Sequence, residues 1–136
     1  MLKKSILMTL FLSSIYSCNQ QVESPSIIMM IGDGMGISQV STSMYSSNNY
    51  TPLERSEFVG LIKTHSLDDL VTDSAASGTA LSSGVKTYNG VLGLDQNYNP
   101  VKTILEICRD EGYMTAIIVT STIVHATPAA YYSKSK

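Results

Sequence analysis

Charge is scarce in this sequence, and neither sign dominates it. Charged side chains make up 15% of the 136 residues, nine basic against eleven acidic, for a formal charge of −2. That balance gives no basic patch or stripe of the kind that binds nucleic acid. Histidine and cysteine are rarer still, two of each, so the chain can close one disulfide at most. Internal repeats and low-complexity tracts are absent. The apolar stretch near the start, Ile6 to Ile15, is too short to cross a bilayer, which takes roughly 20 residues. Apolar residues, by contrast, are plentiful at 43%, a share that fits a globular protein and argues against disorder over most of the length. The length allows one modest domain, or part of one.

Lys3 and Lys4 followed by that short apolar stretch read as a targeting segment, residues 1–17, removed on export. Its removal leaves seven basic against eleven acidic residues, a formal charge of −4. Ile15-Tyr16-Ser17-Cys18 resembles a lipobox, in which a small residue precedes a cysteine that is lipidated and becomes the new N-terminus. We read Cys18 as lipidated, which gives the protein a membrane partner and a periplasmic or cell-envelope location. A plain secretory signal with an incidental Cys18, or a Cys18–Cys108 disulfide, is the alternative. Residues 18–25 are mostly polar, end in Ser24-Pro25 and suit a tether. The folded body then covers residues 26–136.

Ile27 through Ile31 is an unbroken apolar run closed by Gly32, as expected of a strand buried on both faces of a parallel sheet. Ile37, Val40 and Met44 recur at helical spacing. Phe58–Thr64 and Met114–Val119 are two further strand candidates. Asp73 is a good N-cap for a helix running to about Ser83, with Gly84 closing it, and the small residues Ala75, Ala76, Gly78 and Ala80 allow close backbone approach. Asn89-Gly90 signals a tight turn or short hairpin. Asn99 and Pro100 fit the N-cap and first position of another helix. Its apolar stripe is Val101, Ile104, Leu105 and Cys108, which predicts a buried Cys108 thiol, and Gly112 stops it. Strands alternating with amphipathic helices give an α/β fold, a mostly parallel sheet with flanking helices and functional groups at strand carboxyl ends.

The sharpest chemical feature is Val71-Thr72-Asp73-Ser74-Ala75-Ala76-Ser77-Gly78-Thr79-Ala80, which places a serine in the first turn of a helix. A helix N-terminus offers free N–H groups and a positive dipole end, which favour an alkoxide and a bound phosphate alike. No histidine lies nearby in sequence, so a metal ion is the remaining common activator of the hydroxyl. Read alone, a capped small-residue helix with Ser74 facing solvent is also open. Asp33, in Gly32-Asp33-Gly34-Met35-Gly36, is the natural metal candidate, since its carboxylate suits Zn²⁺ and Mg²⁺, although a turn-forming aspartate is open as well. The glycines alternate and lack the third position of a dinucleotide fingerprint.

Ile28 through Gly36 together with the Ser74 segment resembles the alkaline phosphatase family. The resemblance continues through Gly84-Val85-Lys86-Thr87-Tyr88-Asn89-Gly90 and His125-Ala126-Thr127-Pro128-Ala129, and covers nearly everything after residue 25. It implies a phosphate monoester substrate, two Zn²⁺ and one Mg²⁺, and Ser74 as the nucleophile that becomes phosphorylated. It further implies Asp33 bridging a zinc and the magnesium site, Thr127 as a magnesium ligand, and Ser74 held by zinc, the metals replacing a general base. Asp73 would orient a phosphate-clamping arginine, and His125 would stand behind the magnesium ligands. His65 matches no ligand of the family.

A complete site of this family needs three histidines, two further aspartates and a glutamate from beyond these motifs, and the sequence ends just short of the arginine. The expectation is therefore the N-terminal part of a longer enzyme, with the 136 residues alone inactive. The rivals are a non-catalytic truncated lipoprotein and a related metallo-phosphodiesterase or sulfatase. The maturation motif of a sulfatase is missing, and a phosphodiesterase usually carries threonine at the nucleophile. Oligomeric state is not legible, and a homodimer stays open.

Overall fold

The computed structural model describes residues 25–48 and 50–136. The chain divides into two units, Met1–Ile31 and Gly32–Lys136. In the first, residues 25–31 are described; they are exposed and form no strand. The targeting segment, Cys18 and most of the tether lie outside the described residues.

The described residues of the second unit contain four α-helices: α1 (Ile37–Ser46), α2 (Ser74–Ser83), α3 (Ile104–Asp110) and α4 (Ala126–Ala129), with a 3₁₀ turn at Pro52–Arg55. Its centre is α2, which packs against both α3 and α4. Asp73 caps α2 as its sequence suggests, accepting from the Ala76 amide at 2.8 Å, and Gly84 closes it in the left-handed conformation at φ 74°.

Small residues make that packing work. Ala75, Ala76, Gly78, Thr79 and Ser82 of α2 are buried, together with Val91, Leu94, Ala129 and Ala130. A Cβ on Gly78 would lie 2.8 Å from the Ala130 Cβ, so only glycine lets α2 and the end of α4 approach this closely without a shift. With little apolar volume available, hydroxyls tie the elements together. Thr79 Oγ1 accepts from the Gly93 amide at 2.9 Å, Ser82 Oγ donates to the Ala130 carbonyl at 2.8 Å, and Thr103 Oγ1 donates to the Tyr131 carbonyl at 2.8 Å. Each such bond satisfies a backbone group that would otherwise be costly to bury. Lys134 adds an ion pair to Glu106 at 2.9 Å, fastening the segment after α4 to the start of α3.

Two expectations need correction. The helix placed at Asn99-Pro100 begins four residues later, at Ile104, with Thr103 as N-cap. Thr103 Oγ1 accepts from the Glu106 amide at 3.2 Å, and Glu106 returns to the Thr103 amide at 2.8 Å, a capping box. Asn99 is instead held in a turn by Asp95, whose carboxylate accepts from the Asn97 and Asn99 amides, both at 2.8 Å. No residue of α3 is buried, so Cys108 is a half-buried free thiol and not a core residue.

The second correction concerns the sheet. The described residues contain two isolated β-bridges, Leu92 with Ser135 and Leu94 with Pro100, and no ladder. Phe58–Thr64 and Met114–Val119 form no strand, and Phe58, Val59, Leu61 and Met114 are each at least 88% exposed. A strand buried on both faces depends on neighbours for its backbone hydrogen bonds and its side-chain cover. Among the described residues those neighbours are missing, so the apolar pattern is present and the parallel sheet is not. No helix among the described residues is long and apolar enough to cross a membrane.

Candidate active site

Three distant parts of the sequence meet at one carboxylate. Gly32–Met35 is a tight turn closed by the Met35 amide donating to the Gly32 carbonyl at 3.1 Å, with Gly34 at φ 68°, a conformation that favours glycine. The turn presents Asp33 outward. Ser74, the first residue of α2, donates from Oγ to Asp33 with 3.2 Å to each carboxylate oxygen. Thr127, on α4, donates from Oγ1 to Asp33 Oδ2 at 2.6 Å. The packing of α2 on α4 is what brings the two hydroxyls to the same acid.

The backbone around Ser74 is prepared for an anion. Ala76 donates to Asp73 Oδ1 and Ser77 to the Asp73 carbonyl. The amides of Ser74 and Ala75 have no acceptor among the described residues. Two such N–H groups beside the hydroxyl, at the positive end of a helix, are suited to an anion.

Asp73 serves as scaffold. Its Oδ1 caps α2 and its Oδ2 accepts from the Gly90 amide at 2.6 Å, while its own amide donates to Asn89 Oδ1 at 3.0 Å. Asn89 Nδ2 donates to the Val71 carbonyl at 3.0 Å, and the Asn89 amide donates to Asp68 Oδ1 at 3.1 Å. The Ser66 hydroxyl and the Asn89 amide together hold the Asp68 carboxyl below its ordinary pKa. The sequence shows Asn89 only as a turn residue; nothing in an Asn-Gly pair announces a side chain reaching back to the segment before Ser74.

His125 is exposed and precedes α4 as its N-cap through the backbone, without a capping bond from its side chain. The carboxylate and two hydroxyls supply oxygen donors alone. That set fits a share of a Mg²⁺ shell, and the carboxylate also suits Zn²⁺. Among the described residues no three or more His, Cys, Asp or Glu side chains come together, so they do not assemble the four-ligand shell that zinc requires.

A serine at a helix N-terminus, beside free amides and a carboxylate, defines a class of site suited to covalent catalysis on an anionic ester. The alkaline phosphatase family model matches residues 25–136, and the chain belongs to that family. Alkaline phosphatase 4 of Bacillus subtilis is 42% identical over 121 residues, covering 82% of this chain and 26% of the relative. The alkaline phosphatase of Escherichia coli K12 is 40% identical over 119 residues, covering 77% of this chain and 24% of the relative. Among solved structures, alkaline phosphatase from the Antarctic bacterium TAB5 superimposes with a TM-score of 0.72 at 41% identity, over 76% of this chain and 30% of that one. A histidine variant of the same enzyme, solved with magnesium bound, gives the same TM-score at 40% identity. This chain thus spans about a quarter of the length of the curated relatives it matches.

Proposed function

We propose that the whole protein hydrolyses phosphate monoesters through a phosphoserine intermediate on Ser74. The observation that carries this reading is the Ser74 hydroxyl, aimed at Asp33 with 3.2 Å to each oxygen from the first position of α2. Phosphate oxygens of the substrate bind at the free Ser74 and Ala75 amides. Ser74 Oγ forms a bond to phosphorus as the ester P–O bond breaks and the alcohol leaves with a proton. Water then attacks the same phosphorus, the P–Oγ bond breaks, and inorganic phosphate departs. Asp33 holds the hydroxyl and, with Thr127, supplies oxygen ligands; zinc and magnesium bound there would supply the positive charge that lowers the hydroxyl pKa. Asp73 keeps the helix start rigid. Export, and a lipid on Cys18, belong to the same proposal and rest on the sequence pattern of residues 1–18.

The assay is hydrolysis of p-nitrophenyl phosphate by the whole protein, before and after a chelator, with zinc and magnesium added back. Turnover that the chelator abolishes and the metals restore is the expected result, while residues 1–136 alone stay at background. Turnover indifferent to chelation would overturn the reading, and so would activity on phosphodiesters only.

A further inference from the structure

The side chain of Asn89 holds the segment immediately before Ser74. We infer that Asn89 is a positioning residue for Ser74, an assignment that rests on Ser74 being the nucleophile. Its carboxamide grips the segment before α2 at two points. Nδ2 donates to the Val71 carbonyl and Oδ1 accepts from the Asp73 amide, each at 3.0 Å. This is the pairing that a neighbouring strand would offer, supplied here by one side chain in a turn. The next residue completes the clamp, because the Gly90 amide donates to Asp73 Oδ2 at 2.6 Å, and Gly90 stands at φ 82°. On its other side the Asn89 amide is tied to Asp68, which Ser66 holds in turn with a 2.8 Å hydrogen bond.

Residues 71 and 73 are therefore fixed on both sides of Thr72, immediately before the nucleophile. With the carboxamide gone, the Val71 carbonyl and Asp73 amide turn to water, and the angle at which Ser74 enters α2 is no longer set. The Ala76 cap on Asp73 stays, so the helix persists while its first residue drifts. A misplacement near 1 Å at a reacting atom can cost about 10²-fold in rate. Asn89 makes no hydrogen bond to Asp33 or Thr127 among the described residues, so bound metal should not depend on it.

The test compares Asn89→Ala, Asn89→Asp and Ser74→Ala in the whole protein with zinc and magnesium. Asn89→Ala is expected to lower kcat/KM about 10- to 100-fold with bound metal unchanged. Phosphorylation of Ser74 slows in parallel, and the Asp73 amide loses hydrogen-exchange protection. Asn89→Asp keeps the acceptor but loses the donor and sets a third carboxylate beside Asp68 and Asp73. It loses at least as much kcat/KM, and it decides the question if Asn89→Ala does not fold. Parental kcat/KM in either folded variant, or a loss of bound metal matching the loss of rate, would overturn the positioning role. If Ser74→Ala still forms the phosphoenzyme, the nucleophile reading fails and this one with it. If Ser74→Ala is dead while Asn89→Ala is parental, the positioning role alone fails.

Discussion

Replacing Ser74 by alanine in the whole protein should remove the proposed phosphoenzyme and lower turnover by at least about 10³-fold, while the melting temperature stays near that of the parent. The separation of chemistry from stability follows from the local structure. The cap of α2 is the Asp73 carboxylate on the Ala76 amide, and the clamp on Asp73 comes from Asn89 and Gly90, so neither passes through the Ser74 hydroxyl. Alanine is the best helix former and sits comfortably in the first turn. What disappears is the oxygen that joins Asp33 and, in the proposed reaction, phosphorus. Parental turnover in this variant, with phosphate trapped on another residue, would remove Ser74 from the mechanism.

Asp33→Ala should fail differently, in metal content as well as in rate. Its carboxylate accepts from Ser74 and from Thr127 at once, the latter at 2.6 Å, and it is the one anionic group in that contact. Without it the two hydroxyls face each other with no charge to hold a cation, and bound zinc and magnesium should weaken by about 10- to 100-fold or more. Asp33→Asn separates the two roles: it keeps an acceptor for the hydroxyls and loses the charge. Metal content measured by elemental analysis should fall in both variants, beside a turnover loss at saturating metal. Full metal content in Asp33→Ala would show that Asp33 binds none.

What the sequence made legible was mostly local. Asp73 before a run of small residues, with Gly84 after it, marks α2 to within a residue, because caps and close-packing residues act over a single turn. The same kind of reasoning misplaces the start of α3, since Asn99-Pro100 imitates a helix start. The true signal, Thr103 with Glu106 three residues on, stands just beyond it, and Asp95 had already claimed Asn99 for a turn. The strand patterns at residues 58–64 and 114–119 are real as patterns. Strand pairing is a contact with other chain, however, and no local spacing supplies the neighbour. The meeting of Asp33 with Ser74 and Thr127, 41 and 94 residues away, is likewise invisible to periodicity. Resemblance to the family singles out these three residues, and their hydrogen bonds bring them to one carboxylate. Asn89 escaped both routes, because its turn propensity already accounted for it and its two side-chain bonds depend on the loop folding back.

In the proposed reaction Ser74 carries the phosphoryl group. The most direct measurement is to mix the whole protein with a phosphate monoester, quench in acid within one turnover, and map the phosphorylated peptide by mass spectrometry. One phosphate is expected, on Ser74, in the peptide containing Asp73-Ser74-Ala75-Ala76. Phosphate on any other residue, or full turnover with no phosphoenzyme trapped, would contradict it.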